Sequence, residues 1–253
     1  MSNLKPKRLS DLLPDPVSTI TTSPNQITSE VSTQSNFKYN GVEKNLTSQE
    51  VENFWKHGLI QSMNYVSPGF VIDDRNRNLI SELYTWVWAW LGRMEPGKLN
   101  PRKGLLLWGE IGTGKTTIIK GLQRYLAMIN QLCYGSNNRS ICIEIKSAAE
   151  ISLRYASEGM KALERWTERD QASHLAIDEI GREEISTHYG TTCNTIQTLL
   201  QLRYEQRYTI LTLGTTNIDM TTNEFSNRYG SYIQDRVKEM FNVVRVGGES
   251  RRK

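Results

Sequence analysis

An eight-residue stretch near the middle of the chain constrains its fold more than any other feature. Residues 109–116 follow the pattern Gly-x-x-x-x-Gly-Lys-Thr. The apolar run 104–108 before them predicts a buried strand, and residues 116–122 continue with helical spacing. In this setting the glycines let successive backbone N–H groups turn inward and form an anion site at a helix N-terminus. The stretch therefore predicts a phosphate-binding loop (P-loop) for a nucleoside triphosphate.

The residues of this loop have distinct chemical tasks. Lys115 can reach the β- and γ-phosphates, and the Thr116 hydroxyl can ligate Mg²⁺. ATP and Mg²⁺ are therefore the expected ligands, with Thr116 and Asp178 as the metal-contacting residues. The predicted ATP-binding residues are Gly109, Glu110, Ile111, Gly112, Thr113, Gly114, Lys115, Thr116, Thr117 and Asp178.

A second motif ends the apolar run 174–178, where two acids, Asp178 and Glu179, stand side by side. As in a Walker B element, Asp178 would hold Mg²⁺ through its water shell, and Glu179 would orient and deprotonate the attacking water. A small-molecule kinase needs no such glutamate, because its nucleophile is the substrate. The pair therefore favours ATP hydrolysis, with Lys115 and Glu179 as catalytic residues.

Two further catalytic candidates come later in the chain. Asn217 follows the predicted strand 208–215, where a polar amide can position water and detect the γ-phosphate. Arg228 and Arg236 lie two turns apart in a predicted helical stretch, so both can share roughly one face. Such an arginine can reach the γ-phosphate bound by a neighbouring subunit, although nearby acids equally allow a solvated ion-pair face.

Composition divides the chain into three parts. Residues 1–48 hold four of the seven prolines and few aromatic residues, so we predict a disordered tail that buries too little apolar surface to fold alone. Residues 49–69 predict a short helical extension that binds a partner, and residues 70–253 form the predicted ATPase domain. Three tryptophans lie within residues 86–90, where core packing is favoured over base stacking.

Predicted strands and helices alternate through the ATPase domain, which is typical of a parallel sheet covered on both faces. The predicted strands are 104–108, 140–145, 174–178, 208–215 and 241–246. The predicted helices are 51–65, 75–94, 116–132, 148–166, 195–206 and most of 223–240.

Composition places few limits on the partner. The net charge of +4 permits a polyanion without requiring one. Three cysteines without metal-ligand spacing suggest a reducing, cytoplasmic environment. We expect no membrane span, because no run of eighteen apolar residues exists, and no secretory signal at the N-terminus.

With these motifs in this order, the chain resembles the DnaC/IstB family of AAA+ ATPases over residues 70–247. The most specific stretches are 177–181, 215–217 and the box at 230–237. This box usually carries two arginines in the family, and here Tyr232 stands in place of the first while Arg236 matches the second. The resemblance implies the α/β fold of an AAA+ (ASCE) P-loop NTPase. It also implies a homo-oligomer in which Arg236, or alternatively Arg228, acts in trans.

The resemblance further implies a role in DNA metabolism. DnaC-like members bind the replicative helicase through an N-terminal extension and help to place single-stranded DNA inside it, which is the function we expect here. IstB-like members assemble on duplex DNA and assist a transposase, and this alternative stays open. A nucleotide-gated scaffold with little ATP turnover is a third hypothesis.

The DNA-binding surface is not fixed by the sequence. Arg154, Lys161 and Arg165 lie on the predicted helix 148–166 and could track phosphates, but interleaved glutamates are equally typical of a solvated helix. The basic residues at the two ends of the chain are further candidates: Lys5, Lys7, Arg8, Arg251, Arg252 and Lys253.

Overall fold

The computed structural model describes residues 34–39, 42–134, 141–168 and 173–250, with side chains from residue 47 onward. Within these ranges no helix is long and apolar enough to cross a membrane. The elements are β1 (Gln34–Tyr39), β2 (Val42–Thr47), α1 (Ser48–Val66), α2 (Arg77–Trp90), β3 (Gly104–Trp108), α3 (Lys115–Tyr134), β4 (Ile143–Ser147), α4 (Ala148–Glu158), α5 (Lys161–Thr167), β5 (His174–Ile180), β6 (Ser186–His188), β7 (Thr191–Cys193), α6 (Thr195–Tyr204), β8 (Thr212–Thr216), α7 (Glu224–Tyr229), α8 (Ser231–Met240) and β9 (Phe241–Arg245).

A five-stranded parallel sheet forms the centre of the ATPase domain, in the order β4-β5-β8-β3-β9. Strand β3 is buried at every residue, as expected for a strand covered on both faces. Its side chains alternate, so that Leu105 and Leu107 join the core on one face and Leu106 joins the core on the other. The predicted α/β fold is confirmed.

The two faces of the sheet are covered by different sets of helices. Helices α1, α2 and α3 contribute the core on one face, and α4 to α8 contribute the core on the other. Trp86 is fully buried, and its indole N–H donates to the carbonyls of Asn100 and Lys103. Trp88 donates to the Tyr125 hydroxyl at 3.0 Å. These tryptophans therefore serve the core, as the sequence predicted.

Helix α1 begins with a capping box, in which the Thr47 hydroxyl accepts from the Glu50 amide and the Glu50 carboxylate accepts from the Thr47 amide. The helix then packs along α3 and buries Trp55, Leu59 and Met63 in the core of the ATPase domain. The segment 49–69, predicted as a short helical extension, thus packs against the ATPase domain through the apolar side chains of α1.

Most of the predicted tail, including residues 1–33, lies outside the described residues, and near its end β1 and β2 form an antiparallel hairpin. The structure differs from the sequence prediction in several elements. The predicted helix 148–166 is broken into α4 and α5 at Gly159, and the stretch 223–240 is broken into α7 and α8 at Gly230. Both glycines have positive φ values, 64° and 85°, which a helix cannot continue through. A second hairpin, β6–β7, was not predicted.

The side chain of Arg203 links several elements on the face of the sheet that α4 to α8 cover. Its side chain is fully buried, and it donates to the Thr212 hydroxyl and to the carbonyls of Trp166, Ser173 and Leu211. Burial lowers the pKa of this guanidinium to about 9. Arg203 thus links α6 to β8 and to the segments flanking β5, rather than serving a surface role.

Candidate nucleotide-binding site

The predicted site residues meet at the carboxyl edge of the parallel sheet. The P-loop follows β3, the two acids lie in β5, and Asn217 follows β8. Because β5, β8 and β3 are neighbours in the sheet, their carboxyl ends open onto one crevice, which is where α/β sheets bind ligands. The topology therefore brings together three segments that are up to about a hundred residues apart in sequence.

The P-loop is shaped to surround an anion. Gly109, Gly112 and Gly114 have φ values of 146°, 87° and 98°, a region that side chains with a Cβ rarely occupy. Lys115 is buried, and its ammonium donates to the carbonyls of Gly109 at 2.8 Å and Glu110 at 2.7 Å. The lysine is therefore held over the loop, where it can exchange these carbonyls for phosphate oxygens. This arrangement fits a nucleotide.

The metal-ligating candidates are in contact with each other. The Thr116 hydroxyl donates to the Asp178 carboxylate at 2.9 Å. The Thr215 hydroxyl donates to the same carboxylate oxygen at 2.6 Å. A hydroxyl beside a carboxylate is a hard oxygen donor set of the kind that Mg²⁺ takes together with phosphate oxygens and water. The residues present therefore fit a Mg²⁺ ion, held by Thr116 and Asp178.

Glu179 lies at a bulge between β5 and β8. Its φ is 59°, an uncommon value for a residue with a side chain, and its backbone N–H donates to the Thr215 hydroxyl at 2.8 Å. Its carboxylate pairs with Arg182 at 3.2 Å across an exposed surface. The bulge turns Glu179 out of the strand alternation, and its side chain borders the nucleotide cavity.

The cavity at this edge has a volume of about 720 Å³, which is sufficient for a nucleotide. Lys115, Thr116, Glu179 and Asn217 are among its lining residues. Further lining residues come from stretches to which the sequence analysis gave no role at the site, and these are Ser67, Pro68, Gly69, Phe70, Val71, Arg75, Asn76, Leu79, Arg245, Val246, Gly247 and Ser250. Their mixed apolar and polar character suits a purine base and its ribose.

The two arginine candidates have different surroundings. Arg228 donates to the carboxylate of Glu183 at 3.2 Å and to the carbonyl of the same residue, and Glu183 is buried. Arg236 lies between the rings of Tyr204 and Tyr232, with Glu205 at 3.8 Å. Neither arginine lines the cavity of its own chain.

The predicted DNA-contacting residues are partly engaged with acids. Arg154 donates to Glu158 at 3.1 Å, and Arg165 pairs with Glu144 at 2.9 Å. Lys161 is exposed at the start of α5. The candidates at the two chain ends, 5–8 and 251–253, lie outside the described residues.

A family model decides the classification. Residues 105–237, more than half of the chain, match the ATPase family associated with various cellular activities (AAA). The chain belongs to the AAA family. The matched region extends from β3, before the P-loop, into α8 and so includes both acids and Asn217. Membership supports nucleotide binding and ATPase activity in general terms.

Solved structures show the same fold at low sequence identity. The DnaC helicase loader is 16% identical with a TM-score of 0.50, and the match covers 72% of this chain and 96% of that chain. A proposed primosome component from Streptococcus pyogenes serotype M3 is 14% identical with a TM-score of 0.51, covering 76% of this chain and 91% of that chain. No curated protein matches the sequence.

Proposed function

We propose that this AAA protein hydrolyses ATP and acts in DNA replication as a DnaC-like helicase loader that binds single-stranded DNA. The observation that carries the hydrolysis is the contact of Thr116 and Thr215 with Asp178, directly beside Glu179 at the cavity. The loader role is supported by the fold shared with the DnaC helicase loader.

The proposed reaction is in-line attack of water on the γ-phosphorus of ATP. Lys115 binds the β- and γ-phosphates, and Thr116 and Asp178 would hold a Mg²⁺ ion, which would neutralise phosphate charge. Glu179 leaves its weak, exposed contact with Arg182 and takes a proton from the water as the new P–O bond forms. The bond to the β–γ bridging oxygen breaks, and ADP leaves with that electron pair. Asn217 orients the water.

We assign the trans-acting arginine to Arg236 rather than Arg228. Releasing Arg228 would leave the buried carboxylate of Glu183 without its charged partner, which is costly. Arg236 lies 3.8 Å from the carboxylate of Glu205, whose side chain is 64% exposed. Such an exposed contact is readily exchanged for a phosphate. A site completed by a neighbour's arginine makes ATP hydrolysis depend on assembly of a homo-oligomer.

The β6–β7 hairpin supports single-stranded DNA as a ligand. Tyr189 at its tip is 96% exposed and has a φ of 45°, which is strained for an aromatic residue. The hairpin packs against α4, with His188 next to Gly159. An exposed ring can stack on a base of a single strand, and the exposed Lys161, two residues after Gly159, can contact the backbone. Cooperative binding to duplex DNA would instead favour the transposition ATPase.

The first test is the substitution Glu179→Gln, which removes the proposed base and keeps the shape of the side chain. We expect ATP binding to be retained and turnover to fall by about a hundredfold or more. The matched control is Glu184→Gln in the loop that follows β5. Glu184 is exposed and lies outside the cavity lining. Unchanged turnover in Glu179→Gln would show that this glutamate does not activate the water.

The same variant tests the loader role. Held in its ATP-bound state, Glu179→Gln should retain the replicative helicase in an affinity pull-down, whereas Lys115→Ala should not. Equal recovery of helicase with both variants, or none with either, would contradict an ATP-controlled loader.

A further inference from the structure

The guanidinium of Arg236 is stacked between two aromatic rings. Its central carbon lies 4.0 Å from the centroid of the Tyr232 ring and 4.3 Å from that of Tyr204. The Arg236 side chain is 17% exposed, so most of its length is covered by its own chain. Two rings of its own chain therefore contact the guanidinium at cation–π distance.

The two rings come from different helices. Tyr204 ends α6, and Tyr232 and Arg236 lie one turn apart on α8. Tyr204 is fixed in turn, because its hydroxyl donates to Glu239 at 2.7 Å and Arg207 stacks on it at 3.9 Å. The stack is thus built on the contact between α6 and α8 and not on a mobile loop.

Core packing does not explain an aromatic residue at position 232. The residue is 56% exposed and lies outside both core clusters, so burial of apolar surface does not account for it. An isolated arginine on a helix surface samples many rotamers and loses that freedom when it binds a phosphate. Contact with two rings restricts the guanidinium before any ligand arrives.

We infer that Tyr204 and Tyr232 are positioning residues that hold Arg236 ready for the γ-phosphate bound by a second copy of this chain. The inference rests on the proposed function, in which Arg236 acts in trans. Glu205 neutralises the arginine in the free subunit and is replaced by the phosphate on assembly. The rings themselves contact neither the phosphate nor the water.

The test compares Tyr204→Leu and Tyr232→Leu with Tyr204→Phe and Tyr232→Phe. The leucine variants should lower kcat by about tenfold without changing ATP affinity, because each chain's own cavity is intact. Tyr232→Phe keeps its ring and should stay within about twofold of the wild-type kcat. Tyr204→Phe keeps its ring but loses the hydrogen bond to Glu239, so its kcat should lie between those of the wild type and of Tyr204→Leu. The matched control is Tyr208→Leu, which removes an exposed ring that stacks on Arg207 and not on Arg236.

Mixed oligomers separate positioning from damage to the fold. Glu179→Gln subunits cannot hydrolyse ATP but carry an intact Arg236, so adding them to Tyr232→Leu subunits should restore turnover. A Tyr232→Leu protein that stays inactive in this mixture, or leucine variants that keep the wild-type kcat, would overturn the inference.

Arg236→Ala separates a failure of the trans-acting arginine from a failure of the positioning role of the tyrosines. Full turnover in Arg236→Ala would overturn the trans-acting arginine of the proposed function, and the positioning inference with it. Loss of turnover in Arg236→Ala, with both leucine variants fully active, would overturn the positioning role alone.

Discussion

One hydroxyl connects the two acids of the candidate site. Thr215 donates to the Asp178 carboxylate at 2.6 Å and accepts the backbone N–H of Glu179 at 2.8 Å. It thereby holds the metal-binding acid and fixes the strained backbone of Glu179, whose φ is 59°. Thr215 is thus a supporting residue for both acids of the nucleotide site.

We expect Thr215→Val to lower kcat by about ten- to a hundredfold, because the water-activating glutamate loses its fixed orientation. ATP affinity should change less, since the P-loop is untouched. Turnover and calorimetric ATP binding are the measurements. Thr212→Val is the control, because it removes a buried hydroxyl from the same strand at its contact with Arg203. Equal losses of turnover in the two variants would count against a specific role for Thr215.

Local motifs predict the candidate site residues whose spacing is encoded in one stretch of the chain. Lys115, Thr116, Asp178 and Glu179 follow from motifs in which residue type and spacing report the task. Thr215 could not be found in this way, because its role depends on the register that places β8 beside β5. The further lining residues of the cavity were missed for the same reason, since ordinary loop residues acquire their place only through the fold.

At the scale of elements, the contact between α1 and α3 is unusually close. A Cβ placed on Gly121 would lie 2.9 Å from Met63 Cγ and 3.3 Å from Met63 Cα. Beyond α1, residues 67–71 line the nucleotide cavity, and α3 starts at Lys115. The position of α1 is therefore coupled to both of these parts of the ATP site.

We predict that Gly121→Val will destabilise the fold by about 1–3 kcal/mol through overpacking. It should also weaken ATP binding several-fold, because a displaced α1 carries residues 67–71 away from the cavity. Thermal unfolding and nucleotide titration measure the two effects. Lys120→Ala, an exposed neighbour on the same helix, should change the unfolding temperature little. Wild-type ATP affinity in a destabilised Gly121→Val protein would contradict the coupling.

The elements that were predicted well have strong periodic patterns. The strands at β3, β5 and β9 and the helices at α2, α3 and α6 lie within a few residues of their predicted bounds. The helix breaks at Gly159 and Gly230 were missed because a single glycine inside a helical pattern is ambiguous. The β6–β7 hairpin was missed because its turn carries Tyr189-Gly190 in place of the usual Asn-Gly signal.

At the scale of the whole molecule, the sheet divides the chain into two layers with different tasks. The layer of α1 to α3 carries the P-loop helix, and α1 leads into residues 67–71, which line the cavity. The layer of α4 to α8 carries the exposed hairpin and the arginine proposed to act in trans. We propose that ATP bound at the edge of the sheet connects the two layers within one chain, and that it connects neighbouring copies through Arg236.

The most direct test of this account is the fluorescence anisotropy of labelled single-stranded and duplex DNA, titrated with the full-length protein and a slowly hydrolysed ATP analogue. Lys115→Ala is the control for nucleotide dependence. Tyr189→Ala tests the proposed DNA surface, and Tyr208→Ala, which removes another exposed ring, is its matched control. We predict nucleotide-dependent binding that favours single strands, is lost in Lys115→Ala, and is weakened about tenfold or more in Tyr189→Ala but not in Tyr208→Ala. Tight cooperative coating of duplex DNA, or single-strand binding that is independent of nucleotide, would contradict the loader.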